Sequence, residues 1–210
     1  MIDNRTKVTV SDRELALATD RDIILTKRAV IEKASALFSS LIPGINNTFG
    51  GISAADKILN VSVPKISKGE NYKGFPYVIM DHPASFKKEN IFAVRTMFLW
   101  GHFFSITLHL AGHYKTLFET NIYKKLQEEN DFFIAAGEEE WEHHFAEDNF
   151  ATYTNISPAR LSEIKEKKFL KVALKYELHH WNMMQSLLPR GYKKIFNLIN
   201  IPGAHQLPIL

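Results

Sequence analysis

The chain has 210 residues, enough for one domain with a substantial core, and its 45% hydrophobic and 12% aromatic content is that of a globular protein. A net charge of +3, with lysines scattered among glutamates, supplies no concentrated basic face and argues against nucleic-acid binding. Cysteine is absent, which excludes disulfides, thiolate catalysis and cysteine-ligated metal.

The first residues, MIDNRTKVTVSDRE, are polar and charged and lack the apolar core of a signal peptide, so the expectation is a cytoplasmic protein. Residues 1–10 read as a loose arm. Ser11 with Glu14, and Thr19 with Asp22, both resemble helix starts, where a hydroxyl caps free amides and an acid three residues on reinforces it. Over residues 20–41, Ile23, Ile24, Val30, Ile31, Ala34, Leu37, Phe38 and Leu41 fall along one side of a helix of about six turns, which Pro43-Gly44 should end. A stripe of this width faces a core or, alternatively, forms the seam of a homodimer.

Residues 42–60 contain Pro-Gly, Asn-Asn and Gly-Gly, and predict a long connection with one helical turn near residues 54–59. Two strands are expected at 61–67 and 75–81, with Pro64 and Pro76 at strand starts or sheet edges. The polar loop between them, with Lys68, Asn71, Tyr72 and Lys73, suits an anion or an ordinary hairpin. His82-Pro83 should end the second strand, where Asp81 with His82 is either an acid–base pair or ordinary turn chemistry.

Residues 91–112, IFAVRTMFLWGHFFSITLHLAG, are the most apolar and aromatic stretch. Their length would suit a membrane helix. Arg95, His102 and His109 interrupt the run, however, and Ser105, Thr107 and His109 alternate with apolar residues, as in a strand. The expectation is a hairpin turning at Trp100-Gly101, with no membrane span. A two-residue loop pairs Leu99 with His102 and Arg95 with Ile106, setting Arg95 among Met97, Phe104, Ile106 and Leu108. A guanidinium so placed needs a carboxylate, backbone carbonyls or a bound anion.

After Gly112 the period changes. Tyr114, Leu117, Phe118, Ile122 and Leu126 predict an amphipathic helix over 113–130. Short strands are expected at 132–136, 141–146 and 150–154, the middle one with a helical alternative. Ser157-Pro158 opens a helix expected to run to about residue 188, which would bury His180 among Phe169, Val172, Ala173 and Tyr176. A short basic helix over 191–200 would lead to the apolar tail IPGAHQLPIL, which packs on its own domain or on a partner subunit. The sum is a single α+β domain over residues 1–210. Its mostly antiparallel sheet is centred on the 91–112 hairpin and packed with N-terminal, middle and C-terminal helices.

Nine histidines invite a metal reading. Glu140 with His143, and Glu177 with His180, both fit Glu-x-x-His, the paired helical motif of di-iron carboxylate bundles. Together with His144 and His179, brought together by folding, they form the alternative metal set; the Glu-x-x-His reading of it requires residues 138–146 to be helical and two further inward glutamates on other helices. No HExxH, Gly-x-Ser-x-Gly, Walker A or GxGxxG pattern occurs. The segments GENYKGFPYVIMDHP, IFAVRTMFLWGHFFSITLHLAGHY and EEEWEHHFAEDNF resemble hypothetical bacterial proteins of unknown function over less than half the chain. The resemblance implies a bacterial, stand-alone cytoplasmic domain and carries no activity or cofactor.

The functional expectation is a pocket for a small, anionic molecule, with Arg95, His102, His109 and Tyr72 as its polar groups. The alternatives are a histidine-metal-dependent enzyme and a homodimeric structural or interaction protein.

Overall fold

A computed structural model describes residues 8–49 and 62–200. They form an α+β fold. The helices are α1 (Asp12–Thr19), α2 (Arg21–Phe49), α3 (His113–Leu126), α4 (Pro158–Lys165) and α5 (Met184–Ile199). The strands are β1 (Lys65–Tyr72), β2 (Phe75–Lys87), β3 (Asn90–Leu99), β4 (Phe103–Ala111), β5 (Phe132–Ala135), β6 (Phe150–Thr152) and β7 (Phe169–Glu177). They make one sheet in the order β1-β2-β3-β4-β7-β5-β6, antiparallel throughout. No described helix is long and apolar enough to cross a membrane.

The expected hairpin is present as β3–β4 at the middle of the sheet, but one residue out of the expected register. Leu99 pairs with Phe103, not His102, and Arg95 with Thr107, not Ile106. The loop holds three residues, Trp100, Gly101 and His102. Gly101 takes φ +74, a left-handed conformation that costs glycine little. Because side chains alternate along a strand, that slip exchanges the faces of β4. Arg95 therefore shares its face with Met97, Ser105, Thr107 and His109, while Phe104, Ile106, Leu108 and Leu110 turn to the other side.

That other side is the main core. Val78, Met80, Phe92, Val94, Phe98, Phe104, Ile106, Leu108, Leu170, Val172 and Leu174 are buried there under α2, α3 and α5. Phe104 meets Phe38 edge-on at 6.2 Å and Trp181 at 4.9 Å. Gly191 lets α5 lie close on the sheet: a β-carbon there would collide with the Tyr176 hydroxyl and with Ile106.

Several segments depart from expectation. The helix expected over 158–188 ends at Lys165, and Phe169–Glu177 is instead the strand β7, bonded between β4 and β5. Residues 178–183 form a 3-10 turn in which His179 and His180 are exposed, so His180 is not a core residue. Pro43 and Pro189 both lie inside helices, α2 and α5, rather than ending them. β2 runs on past His82-Pro83, a cis bond at the irregularity between Asp81 and Ala84. Residues 141–146 are neither strand nor helix.

Other expectations hold. Ser11 and Glu14 make the capping box of α1, whereas α2 is started by Asp20, whose carboxylate accepts from the Asp22 amide at 2.9 Å. The turn expected at 54–59 and the tail at 201–210 lie outside the described residues.

Candidate functional site

The face of the sheet opposite the helices is built on different chemistry. Asp81, Arg95, Ser105, Thr107, His109 and Lys171 lie on it, and all but Arg95 are buried. The register explains the grouping. Asp81 is opposite Arg95, Arg95 opposite Thr107, and His109 opposite Lys171, so five of these side chains form two rows across β2, β3, β4 and β7, and Ser105 stands in a third opposite Lys175. Arg95 grips Asp81 with both arms of its fork, Nε to Oδ1 at 2.7 Å and Nη2 to Oδ2 at 2.9 Å. Of the partners expected for this guanidinium, a carboxylate, backbone carbonyls or a bound anion, the structure supplies the carboxylate of Asp81. His82 points to the other side, with Nε2 2.6 Å from Asn46 Oδ1, so Asp81 and His82 do not form a pair.

Residues 136–149 cross this face as a strap without regular secondary structure. Backbone outside regular structure must find other partners for its amides and carbonyls, and here side chains supply several of them, beside the backbone bonds from Ala136 and Gly137 to the Asn149 carbonyl. The Tyr72 hydroxyl accepts from the amides of His143 at 2.6 Å and His144 at 3.1 Å, and donates to Glu142 Oε2 at 2.6 Å. The Lys171 ammonium donates to the carbonyls of Glu140, at 2.9 Å, and Glu142. Lys167 and Arg160 both donate to the Ala136 carbonyl, at 2.7 and 2.6 Å. Phe145 anchors the strap by packing edge-on against Phe103 and Phe133 and stacking on Phe150 at 4.8 Å.

Two histidines close the network. His143 Nε2 lies 2.6 Å from Arg95 Nη1, so this nitrogen accepts and the imidazole is neutral. Burial, with Arg95 and Lys171 nearby, drives its pKa from 6.5 to about 2. His109 is lowered to about 3 by burial and by the same two cations. Its Nε2, 2.7 Å from Glu140 Oε1, is therefore a neutral donor to the carboxylate rather than half of an ion pair. Burial raises the pKa of Glu140, and Lys171 opposes that rise. Lys171, 1% exposed, is lowered from 10.5 to about 7, first by burial and then by Arg95.

Beside the strap opens a cleft of about 450 Å³. Tyr72, Phe75, Phe103 and Phe145 wall it, and Lys73, His102, His144 and Lys175 bring positive or protonatable groups to it, against the single acid Asp148. Of the four residues expected to bind a ligand, Tyr72 and His102 line this cleft. Arg95 and His109 are engaged beneath the strap and are absent from the cleft lining.

The alternative metal set is dispersed. Glu140 and His143 share no helix face, because residues 138–146 are not helical, and Glu177 ends β7 while His179 and His180 sit in the following turn. Among the described residues no group of three or more His, Asp and Glu side chains is arranged to hold a metal ion.

The sequence reading missed Lys171 and Lys175, because their segment was expected to be helical. The visible signal was strict alternation: Phe169, Lys171, Ala173 and Lys175 against Leu170, Val172, Leu174 and Tyr176. Compared with known proteins, the chain matches no family model, no curated protein and no solved structure.

Proposed function

We propose that the protein binds a small anionic molecule in the cleft between the strap, the β1–β2 turn and the β3–β4 turn. The observation that carries this reading is the composition of the cleft: four aromatic rings with two lysines and two histidines around about 450 Å³, a volume typical of small-molecule sites. Rings give apolar area and an anion's charge selects the rim. Lys73 and Lys175 hold Glu142 at 3.3 Å and Glu177 at 2.9 Å. Partly exposed pairs of this kind contribute only about 0–1 kcal/mol, so a ligand anion can take the place of either carboxylate. His102, with its ring edge-on to Phe75 at 4.3 Å, fixes one end of the cleft.

Isothermal titration with inorganic phosphate, benzoate and a dicarboxylate tests the proposal. Saturable binding of at least one anion is expected, weakened about tenfold or more by Lys175→Ala and further by adding Lys73→Ala. Absence of binding by all three, or binding indifferent to both substitutions, would contradict it.

A further inference from the structure

The N-terminal helices bear on a different surface. α1 buries none of its residues, and α2 has no buried residue before Ala34. Of the twelve large hydrophobic residues exposed among the described residues, seven lie between Val8 and Leu25. A helix of eight residues is marginal in water without packing. The core-facing stripe of α2, marked by Ala34, Leu37, Phe38 and Leu41, continues backwards through Val30, Ile31, Ile23 and Ile24, beyond the part that buries it.

The charges around that overhang are ordered. On one face of α2, Asp20 precedes the exposed pair Ile23 and Ile24 and Lys27 follows it, whereas Asp22, Leu25 and Arg28 point elsewhere around the helix. We infer that this chain forms a two-fold dimer in which the starts of two α2 helices cross antiparallel at Ile23 and Ile24. Each copy's Asp20 then faces the other's Lys27. A two-fold contact must be complementary to itself, and an apolar centre flanked by opposite charges meets that condition. A parallel crossing would set acid against acid. Lys27 has a partner within its own chain, Glu70, but that carboxylate is exposed and the pair is readily exchanged.

Sedimentation velocity on the full chain tests the inference. A dimer is expected at tens of micromolar, with its dissociation constant raised at least tenfold by the pair Ile23→Glu and Ile24→Glu. Both positions are exposed, so the circular dichroism of the sheet should not change. Asp20→Lys and Lys27→Glu should each weaken the dimer, and mixing the two variants should restore it. As a second readout, Ile24→Cys in this cysteine-free chain should give a covalent dimer on oxidation. A wild-type monomer at 100 micromolar would overturn the inference, as would a dimer indifferent to the paired glutamates or no recovery on mixing.

Discussion

The two faces of the sheet are held to their covers by different physics. The helical face is mostly apolar, and its few polar contacts include Thr96 with the buried Tyr192 hydroxyl and His82 with Asn46. Its cover can be any set of helices of suitable shape, because burial is non-directional. The strap face uses Arg95, Lys171, His109 and Tyr72, each aimed at a particular atom of residues 136–149 or of a neighbouring strand. Damage to the first face leaves a void. Damage to the second leaves a charge or an amide without a partner, and that fault is local to the strap and the cleft it walls.

The largest expected effect is on the helical side. Phe104→Ala should cost about 3–5 kcal/mol in urea unfolding, since the ring is fully buried among Phe38, Phe98 and Trp181. Next comes Arg95→Met, which strands the Asp81 carboxylate. The cost should be about 3 kcal/mol, at the low end for a broken buried pair because both side chains keep some exposure. Adding Asp81→Leu should recover most of that loss, whereas no second truncation beside Phe104 should do the same. A double-mutant cycle that found the two losses additive would remove the distinction between the faces.

Lys171→Met should cost about 1–3 kcal/mol through two orphaned carbonyls, and it should change the pH profile. The lysine's pKa is lowered in the fold from 10.5 to about 7. Between those values the unfolded chain binds a proton that the folded chain does not, so this group makes stability rise with pH across that window. The slope should disappear in the variant.

His109 and His143 act in the same sense at lower pH. They bind no proton in either state well above 6.5. As pH falls from 6.5 towards about 3, the unfolded chain takes up protons that the folded chain refuses, and stability drops. The pair His109→Asn and His143→Asn should flatten that limb in unfolding measured at a series of pH values. The smallest effect should come from outside both faces. Glu163→Gln, at the exposed pair with Arg160, should move stability by less than about 0.5 kcal/mol.

Much of the helical face was legible in the sequence, because periodicity reports burial. Ala34, Leu37, Phe38 and Leu41 fall on one stripe, and the aromatic run at 91–112 reads as paired strands. The register of that pairing was not legible, since one extra residue in the turn at Gly101 decides it and no side-chain pattern distinguishes two residues from three. β7 was misread because Lys171 and Lys175, placed inside an apolar segment, look like the polar face of a helix when their partners are unknown. Those partners are the carbonyls of Glu140 and Glu142 and the carboxylate of Glu177. The strap was least legible of all. Its conformation is set by hydroxyl, ammonium and guanidinium groups 24 to 72 residues away in sequence, and no local pattern encodes such contacts.

The most direct test is hydrogen exchange at the amides of His143 and His144 in Tyr72→Phe, a change that removes one oxygen and little else. Both amides donate to that oxygen, which also donates to Glu142. The expected result is a rise of about tenfold or more in their exchange rates, equivalent to about 1.4 kcal/mol, with β3 and β4 amides as protected as before and anion binding weakened. Unchanged protection of His143 and His144 would contradict the claim that side chains of the sheet hold the strap and shape the cleft.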